Sequence, residues 1–165
     1  FNFSIDNVTV DGVDKFEGTQ LANIKNLSLK VDLMSVISGD EIKIKSIYIE
    51  EPTVNAVVLA DTSANWDIAK ATEEIEEEVA EEEASPFKLN LQDLTIKNAK
   101  INYEDATMNL TTSIIGLNFN LSGDMTQDVT DLVTKTVIDE LNLTMDNIAY
   151  FKKACRFSYF NTGWK

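Results

Sequence analysis

The sequence contains no histidine. Catalytic triads that use an imidazole base are therefore excluded, and so are most zinc sites. The single cysteine, Cys155, has no partner for an intramolecular disulfide, and a lone cysteine is more often an inert apolar residue than a nucleophile. Two prolines and six glycines are too few to indicate disorder over most of the chain. We expect a folded protein that is not an enzyme and that holds no cofactor and no metal.

Basic residues and long apolar runs are also scarce. The formal net charge is −14, and eight glutamates lie between Glu73 and Glu83 with no basic residue among them. Taking these eight charges away leaves −6, so much of the excess is local. Nucleic acid is not expected as a partner, because phosphate binding needs clustered Lys and Arg. No run approaches the roughly 18 apolar residues of a membrane-spanning helix, and the start at Phe1 suggests a trimmed or processed piece.

The chain does contain a repeated pattern of apolar residues. Between Ile42 and Ala56 they alternate with polar ones, and the same spacing returns without a gap between Leu89 and Tyr103. Shorter copies lie at 3–10 and 143–150. Alternation with a period of two predicts strands with one apolar face. A chain that repeats such a strand is expected to build a sheet by repetition.

Each copy contains a double spacer, as between Ile44 and Ile47. In a regular strand this spacer would place the two side chains on opposite faces. One extra residue in a β-bulge at Lys45-Ser46 would restore the phase and bend the strand. We favour the bulge because the spacer recurs in every copy. The alternative is a strand that is buried first on one face and then on the other.

The chain divides into four predicted parts. Residues 1–60 form a first β module, and residues 87–154 form a second β module of the same domain. An acidic helix or linker at 61–86 separates the two modules, because its glutamates surround a helical pattern of Ile and Val. The tail at 155–165 loses the alternation and is atypical.

Several local features are also predicted. Residues 34–40 are expected to form one helical turn, and Pro52 should interrupt the long strand that contains it. The segment from Met108 to Leu121 is expected to form two strands with a turn or bulge near Thr112-Ser113. The segment 129–141 fits either a helix or a strand. We assign it as a strand because β-branched residues dominate it.

The fold class that follows is mainly β, with a long, bulged, twisted antiparallel sheet and one apolar face that needs cover. A closed β-sandwich-like core would make the chain a structural or protein-binding module. A curved half-open groove or incomplete barrel would instead present a concave apolar surface to lipid chains. Both arrangements need the same alternation. A hydrolase that uses carboxylates is a weaker alternative, because pairs such as Glu104 and Asp105 lie in turns or polar strand positions.

The order of motifs resembles the N-terminal region of AsmA-like proteins over residues 3 to 154. The matching elements are the alternating strands at 3–10 and 21–33, the run from Gly39 through Pro52 to Val54, Asn65-Trp66-Asp67, the acidic linker, the renewed alternation from Phe87 to Ile96, and Leu121-x-Gly123-Asp124. The absent anchor helix and the tail from Cys155 depart from the family pattern.

The resemblance implies a bacterial envelope protein, on the periplasmic face of the inner membrane and held there by an anchor that this chain does not contain. It also implies a β-groove that takes part in phospholipid transport or outer-membrane assembly, with phospholipid acyl chains as partners and no catalytic residues. The oligomeric state is left open. The residues expected to line the groove are Ile42, Ile44, Ile47, Ile49, Leu89, Leu91, Leu94, Ile96, Ile101, Leu117 and Phe119.

Overall fold

The computed structural model describes residues 1–38, 44–68, 91–123, 131–153 and 160–163. Most of these residues are in strands, with one short helix, α1 (Leu33–Ser38), and a 3-10 turn at Asp14–Phe16. The strands are β1 (Asn2–Asp11), β2 (Gln20–Val31), β3 (Ile44–Glu50), β4 (Thr53–Val58), β5 (Asp93–Asp105), β6 (Leu110–Ser122), β7 (Asp131–Val137), β8 (Glu140–Met145), β9 (Ile148–Lys153) and β10 (Phe160–Gly163).

All ten strands belong to one sheet whose order nearly follows the chain. β3 and β4 lie end to end between β2 and β5, and β7 and β8 lie end to end along β6. β9 pairs with β8, and β10 pairs with β7. Among the described strands β1 pairs only with β2, so it forms an open edge. The predicted mainly β class is confirmed, and both predicted β modules contribute to this sheet.

The two long copies of the repeat lie side by side. β3 and β4 pair with β5 in parallel, and all other pairings are antiparallel. The sheet is therefore mixed, which the expectation of an antiparallel sheet did not include. Parallel neighbours need a long crossover connection, and the chain between β4 and β5 supplies it. Equivalent residues face each other in register, in the pairs Ile47–Leu94, Ile49–Ile96 and Val54–Ile101.

The predicted bulge at Lys45-Ser46 is confirmed. Lys30 of β2 pairs with Ser46, whereas the next residue, Val31, pairs with Ile44, so Lys45 is the extra residue. The Lys45 carbonyl accepts a hydrogen bond from the Gln92 N–H at 2.9 Å. Ile44 and Ile47 therefore share a face with their respective partners on β2, as the bulge requires.

A second set of double spacers forms a line across the sheet, which we call the bend line. In four of these double spacers the second spacer residue has a positive φ. These residues are Asn7 (55°), Glu51 (46°), Asn98 (51°) and Gly116 (66°). Lys25 of β2 lies at the same level, and the β1–β2 register is the same on both sides of it. Adjacent strands therefore shift the alternation of their side chains at the same level and stay in register. Gly116 is required at its position, because a Cβ there would overlap the carboxylate of Asp139.

Two local predictions are wrong. β6 is one strand that passes through Thr112-Ser113 without a turn, and its slip falls at Gly116 instead. The double spacer in the copy at 143–150 is not a bulge. Asp146 and Asn147 both have positive φ and form the two-residue turn between β8 and β9, which is the geometry that favours Asn and Asp in tight hairpins.

Other local predictions are confirmed. α1 supplies the expected helical turn, and the long strand breaks at Pro52 between β3 and β4. The segment 131–137 is strand β7. In the tail, Phe160–Gly163 pairs with β7, while 154–159 lies outside the described residues. Residues 69–86 of the acidic segment also lie outside them.

Few apolar side chains of the described chain are fully buried. They are Phe16, Leu21, Val31, Leu91 and Ala99. Most apolar positions of the central strands β3 to β6 are half-buried. The described sheet thus has an apolar side that stays partly open rather than one that packs into a thick dry core.

Candidate functional site

The candidate site is the apolar face of the sheet, and it is organised in rows. A row consists of residues that pair directly across neighbouring strands and therefore point to the same side. We call the half of the sheet that contains β3 the part above the bend line, and the half that contains β4 the part below it. Above the bend line one row contains Phe3, Leu29, Ile47, Leu94 and Leu121. The next contains Ile5, Leu27, Ile49, Ile96 and Phe119. Each row thus carries an apolar side chain on five adjacent strands.

The rows continue below the bend line. One contains Val10, Ala22, Val54, Ile101, Ile114 and Leu141, and it reaches from β1 to β8. At the bend line itself, Ala99 pairs with Leu117. Along β5 the apolar positions run from Leu94 to Ile101, which is seven steps of about 3.3 Å, or roughly 23 Å.

Lys25 shows that the two halves of the sheet keep the same polar side. Its ammonium lies 3.1 Å from the Glu50 carboxylate, above the bend line, and 3.0 Å from that of Glu51. It also lines a cavity of about 500 Å³ together with Asn23 and Lys100, which lie below the bend line. Polar residues of both halves therefore share one face, and the apolar rows share the other.

The apolar face is accessible to solvent to an unusual degree at its β1 edge. Phe3 is 49% exposed and Ile5 is 54% exposed, and Phe1 packs edge-on against Phe3 with ring centroids 4.7 Å apart. Ile47 and Ile49 in the middle of the sheet are half-buried. Contiguous apolar surface of this kind on a protein usually marks a binding surface.

An aromatic pair lies at the lower end of the apolar face. Asn65 is 2% exposed, and its amide accepts from the Val57 N–H at 2.9 Å and donates to the Asn55 carbonyl at 2.6 Å. These bonds fix the chain beside residues 55–57 of β4, just beyond the point where the pairing of β4 with β2 ends at Val54. Trp66 follows and stacks on Tyr103 at a centroid distance of 6.3 Å.

Below the aromatic pair the face becomes polar. The Tyr103 hydroxyl donates to the Asp105 carboxylate at 3.0 Å, which raises the pKa of Tyr103. Asp105 also accepts from the Thr107 hydroxyl and from the backbone N–H groups of Thr107 and Met108. The bond from the Thr107 hydroxyl is the largest of the effects that lower the pKa of Asp105. The carboxylate is fully used in this turn, so its role is structural.

The structure places most of the predicted groove residues on this single face. They are Ile44, Ile47, Ile49, Leu94, Ile96, Ile101, Leu117 and Phe119. Leu91 is only 4% exposed, so it is a packing residue. Ile42 and Leu89 lie outside the described residues.

Sequence reasoning missed several residues of the same rows. Four of them pair directly with predicted groove residues, and the fifth, Ile5, pairs with Leu27 in the same row. The four are Leu27, Leu29, Ile114 and Leu121. The signal was present, because all five occupy apolar positions of alternating segments. What the sequence did not show was which strands are neighbours.

Comparison with known proteins identifies a family for this chain. The model of the AsmA family matches residues 1–145. The chain belongs to the AsmA family. No match to it was found among curated proteins or among solved structures. Membership in the AsmA family is consistent with envelope and lipid-transport-related roles, and it suggests a bacterial envelope protein.

In the part of the chain that the structure describes, no helix combines the length and the apolar character needed to cross a bilayer.

Proposed function

We propose that this AsmA-family chain carries phospholipid acyl chains on the apolar face of its sheet, without catalysing a reaction. The observation that supports this most directly is the continuity of the rows. Apolar side chains, most of them half-buried, occupy five adjacent strands both above and below the bend line. Lipid transport at the periplasmic side of the bacterial inner membrane, toward outer-membrane assembly, is the role we infer for this surface.

The dimensions of the face support the proposal. The hydrocarbon core of a bilayer is about 30 Å thick, so one acyl chain spans roughly 15 Å. The apolar positions along β5, from Leu94 to Ile101, span roughly 23 Å at about 3.3 Å per residue, which is longer than one acyl chain. Burying aliphatic surface against an acyl chain is favourable by roughly 25 cal/mol per Å², and it needs no directional contacts. The surface therefore suits ligands that slide along it.

The experiment uses a charged substitution on each face of one strand. Ile47→Glu places a carboxylate in the middle of an apolar row, and Tyr48→Glu places the same group at the next position on the opposite face. Uptake of a fluorescent acyl probe and co-purified phospholipid in native mass spectrometry are measured for both. We expect Ile47→Glu to remain folded, because its site is only half-buried and the carboxylate keeps access to water, and to lose uptake by at least about tenfold. Tyr48→Glu should bind as the unmodified chain does.

The alternative function is a closed β-core that binds protein partners. Under that alternative Ile47→Glu buries an unpaired charge and unfolds the chain, which circular dichroism detects. Unmodified protein that is well folded, free of lipid and unable to take up the probe would overturn the lipid proposal.

A further inference from the structure

The polar face carries an ordered row of uncharged side chains below the bend line. Each member of this row pairs directly with the next one across the strands β4, β5, β6 and β8. The members are, in order, Asn55, Asn102, Ser113 and Asn142. The Asn102 amide donates to the Asn55 side-chain oxygen at 2.7 Å, and the Asn142 amide donates to the Ser113 hydroxyl at 3.1 Å. These bonds hold the side chains in place before any ligand arrives.

A cavity of about 420 Å³ lies over this row. Its lining also includes Thr111 and Thr144, which are direct partners across β6 and β8. Pockets for small molecules typically have volumes of roughly 300–1,000 Å³. The cavity is therefore large enough for a ligand of one or two rings.

The cavity has hydrogen-bonding capacity that the described chain does not use. The side-chain oxygen of Asn142 is shielded from solvent and has no donor among the described residues. The hydroxyls of Thr111 and Thr144 likewise make no hydrogen bond to a described group. A shielded acceptor without a donor is unfavourable, but a group closed to solvent is closed to a ligand as well, so the Thr111 and Thr144 hydroxyls are the groups that a ligand with hydroxyl groups would bond to.

We propose that this cavity binds a neutral saccharide of one or two rings. Sugar hydroxyls both donate and accept, which matches a lining of amides and hydroxyls. Anionic ligands are disfavoured, because Glu104 is the only charged side chain among the described residues of the lining and the chain carries a net charge of −14. Apolar ligands are disfavoured because they would bury the amides without partners. This site lies on the opposite face from the proposed lipid surface and does not depend on it.

The test is saturation-transfer NMR and calorimetric titration of the whole chain with defined probes. Maltose and the N-acetylglucosamine dimer are the neutral probes, and a glucose phosphate is the anionic comparator. We expect at least one neutral probe to bind more tightly than the phosphate. Thr144→Val removes one hydroxyl at nearly constant shape, so it should weaken binding by roughly two- to tenfold, as the loss of one neutral hydrogen bond predicts.

The matched control is Thr9→Val on β1, which makes the same change on the same face outside the cavity. It should leave binding unchanged. Asn142→Ala provides a second variant, and it should weaken binding at least as much as Thr144→Val. The proposal is overturned if neither neutral probe binds at about 10 mM, if the phosphate binds best, or if Thr144→Val binds as Thr9→Val does.

Discussion

The two long copies of the repeat have the same spacing but different continuity. The second copy, β5, runs unbroken through Asn98 and Ala99, whereas the first is split at Glu51-Pro52 into β3 and β4. Proline has no N–H to donate, yet its carbonyl still accepts from the Lys100 N–H at 2.8 Å. The residue-by-residue pairing resumes beyond the break. The apolar spacing therefore maintains the register even where the strand itself is interrupted.

The copies also end differently. The first ends at Val58, which forms a bridge with Ala64. The equivalent residue of the second copy is Asp105, which organises the turn into β6 through Thr107 and Met108. One copy thus leads into the crossover connection, and the other into a tight antiparallel return.

The largest effect is expected at Ala99, a buried position of the second copy. Ala99 is 2% exposed, so Ala99→Leu should overpack its surroundings and lower the free energy of unfolding by about 1–3 kcal/mol. Ala56→Leu makes the same change at a half-buried position of the first copy and should cost much less. Urea unfolding measures both variants. Equal losses would show that Ala99 is packed no more tightly than Ala56.

Asp105 should make the end of the second copy sensitive to acid. Its pKa is lowered in the folded chain, first by the hydroxyl of Thr107. A depressed pKa contributes stability above the unfolded value of about 3.9, and this contribution is lost as pH falls through the folded value. Asp105→Asn should therefore lower the urea midpoint near pH 7, and the difference from the unmodified chain should shrink below pH 4. A difference that stays constant with pH would contradict this role.

The smallest effect is expected from exchanging the left-handed residues of the two copies. Glu51 and Asn98 have φ of 46° and 51°, and Asn tolerates this region better than Glu. Asn98→Glu should destabilise the chain by about 1 kcal/mol. Glu51→Asn should stabilise it by about 0.5 kcal/mol or less, because the exposed ion pair with Lys25 is lost as well. Thermal melts of the two variants should shift in opposite directions, and shifts in the same direction would refute the reasoning.

The sequence allowed the strands and their apolar face to be predicted with fair accuracy. The bulge at Lys45-Ser46 followed from spacing alone, because one extra residue is the simplest way to keep Ile44 and Ile47 together. The slip of β6 was misplaced. Leu110, Thr112 and Ile114 keep perfect alternation, and the double spacer comes only afterwards at Ile115-Gly116.

Other features could not be derived from the alternation. A double spacer within one segment fits a bulge or a two-residue turn equally well, and only the partner strand decides between them. Asp146-Asn147 has the residues of a turn, which was the available clue. Alternation also says nothing of strand direction, so the parallel contact between the copies was not foreseen. The uncharged row on the polar face was missed because Asn and Ser there read as ordinary solvent-facing residues.

The bend line makes the sheet intolerant of changes in strand length. Successive side chains of a strand point to opposite faces, so a one-residue change reverses the face of every residue beyond it. Deletion of Asn98 alone would therefore turn every later side chain of β5 to the opposite face of the sheet. Lys100 and Asn102 would then point to the apolar side, and Ile101 would point to the polar side. Since the slips in neighbouring strands keep the same register, such a loss would be corrected only by matching losses in several strands. Length variation in this chain is therefore expected at the hairpin turns and in the crossover rather than within the strands.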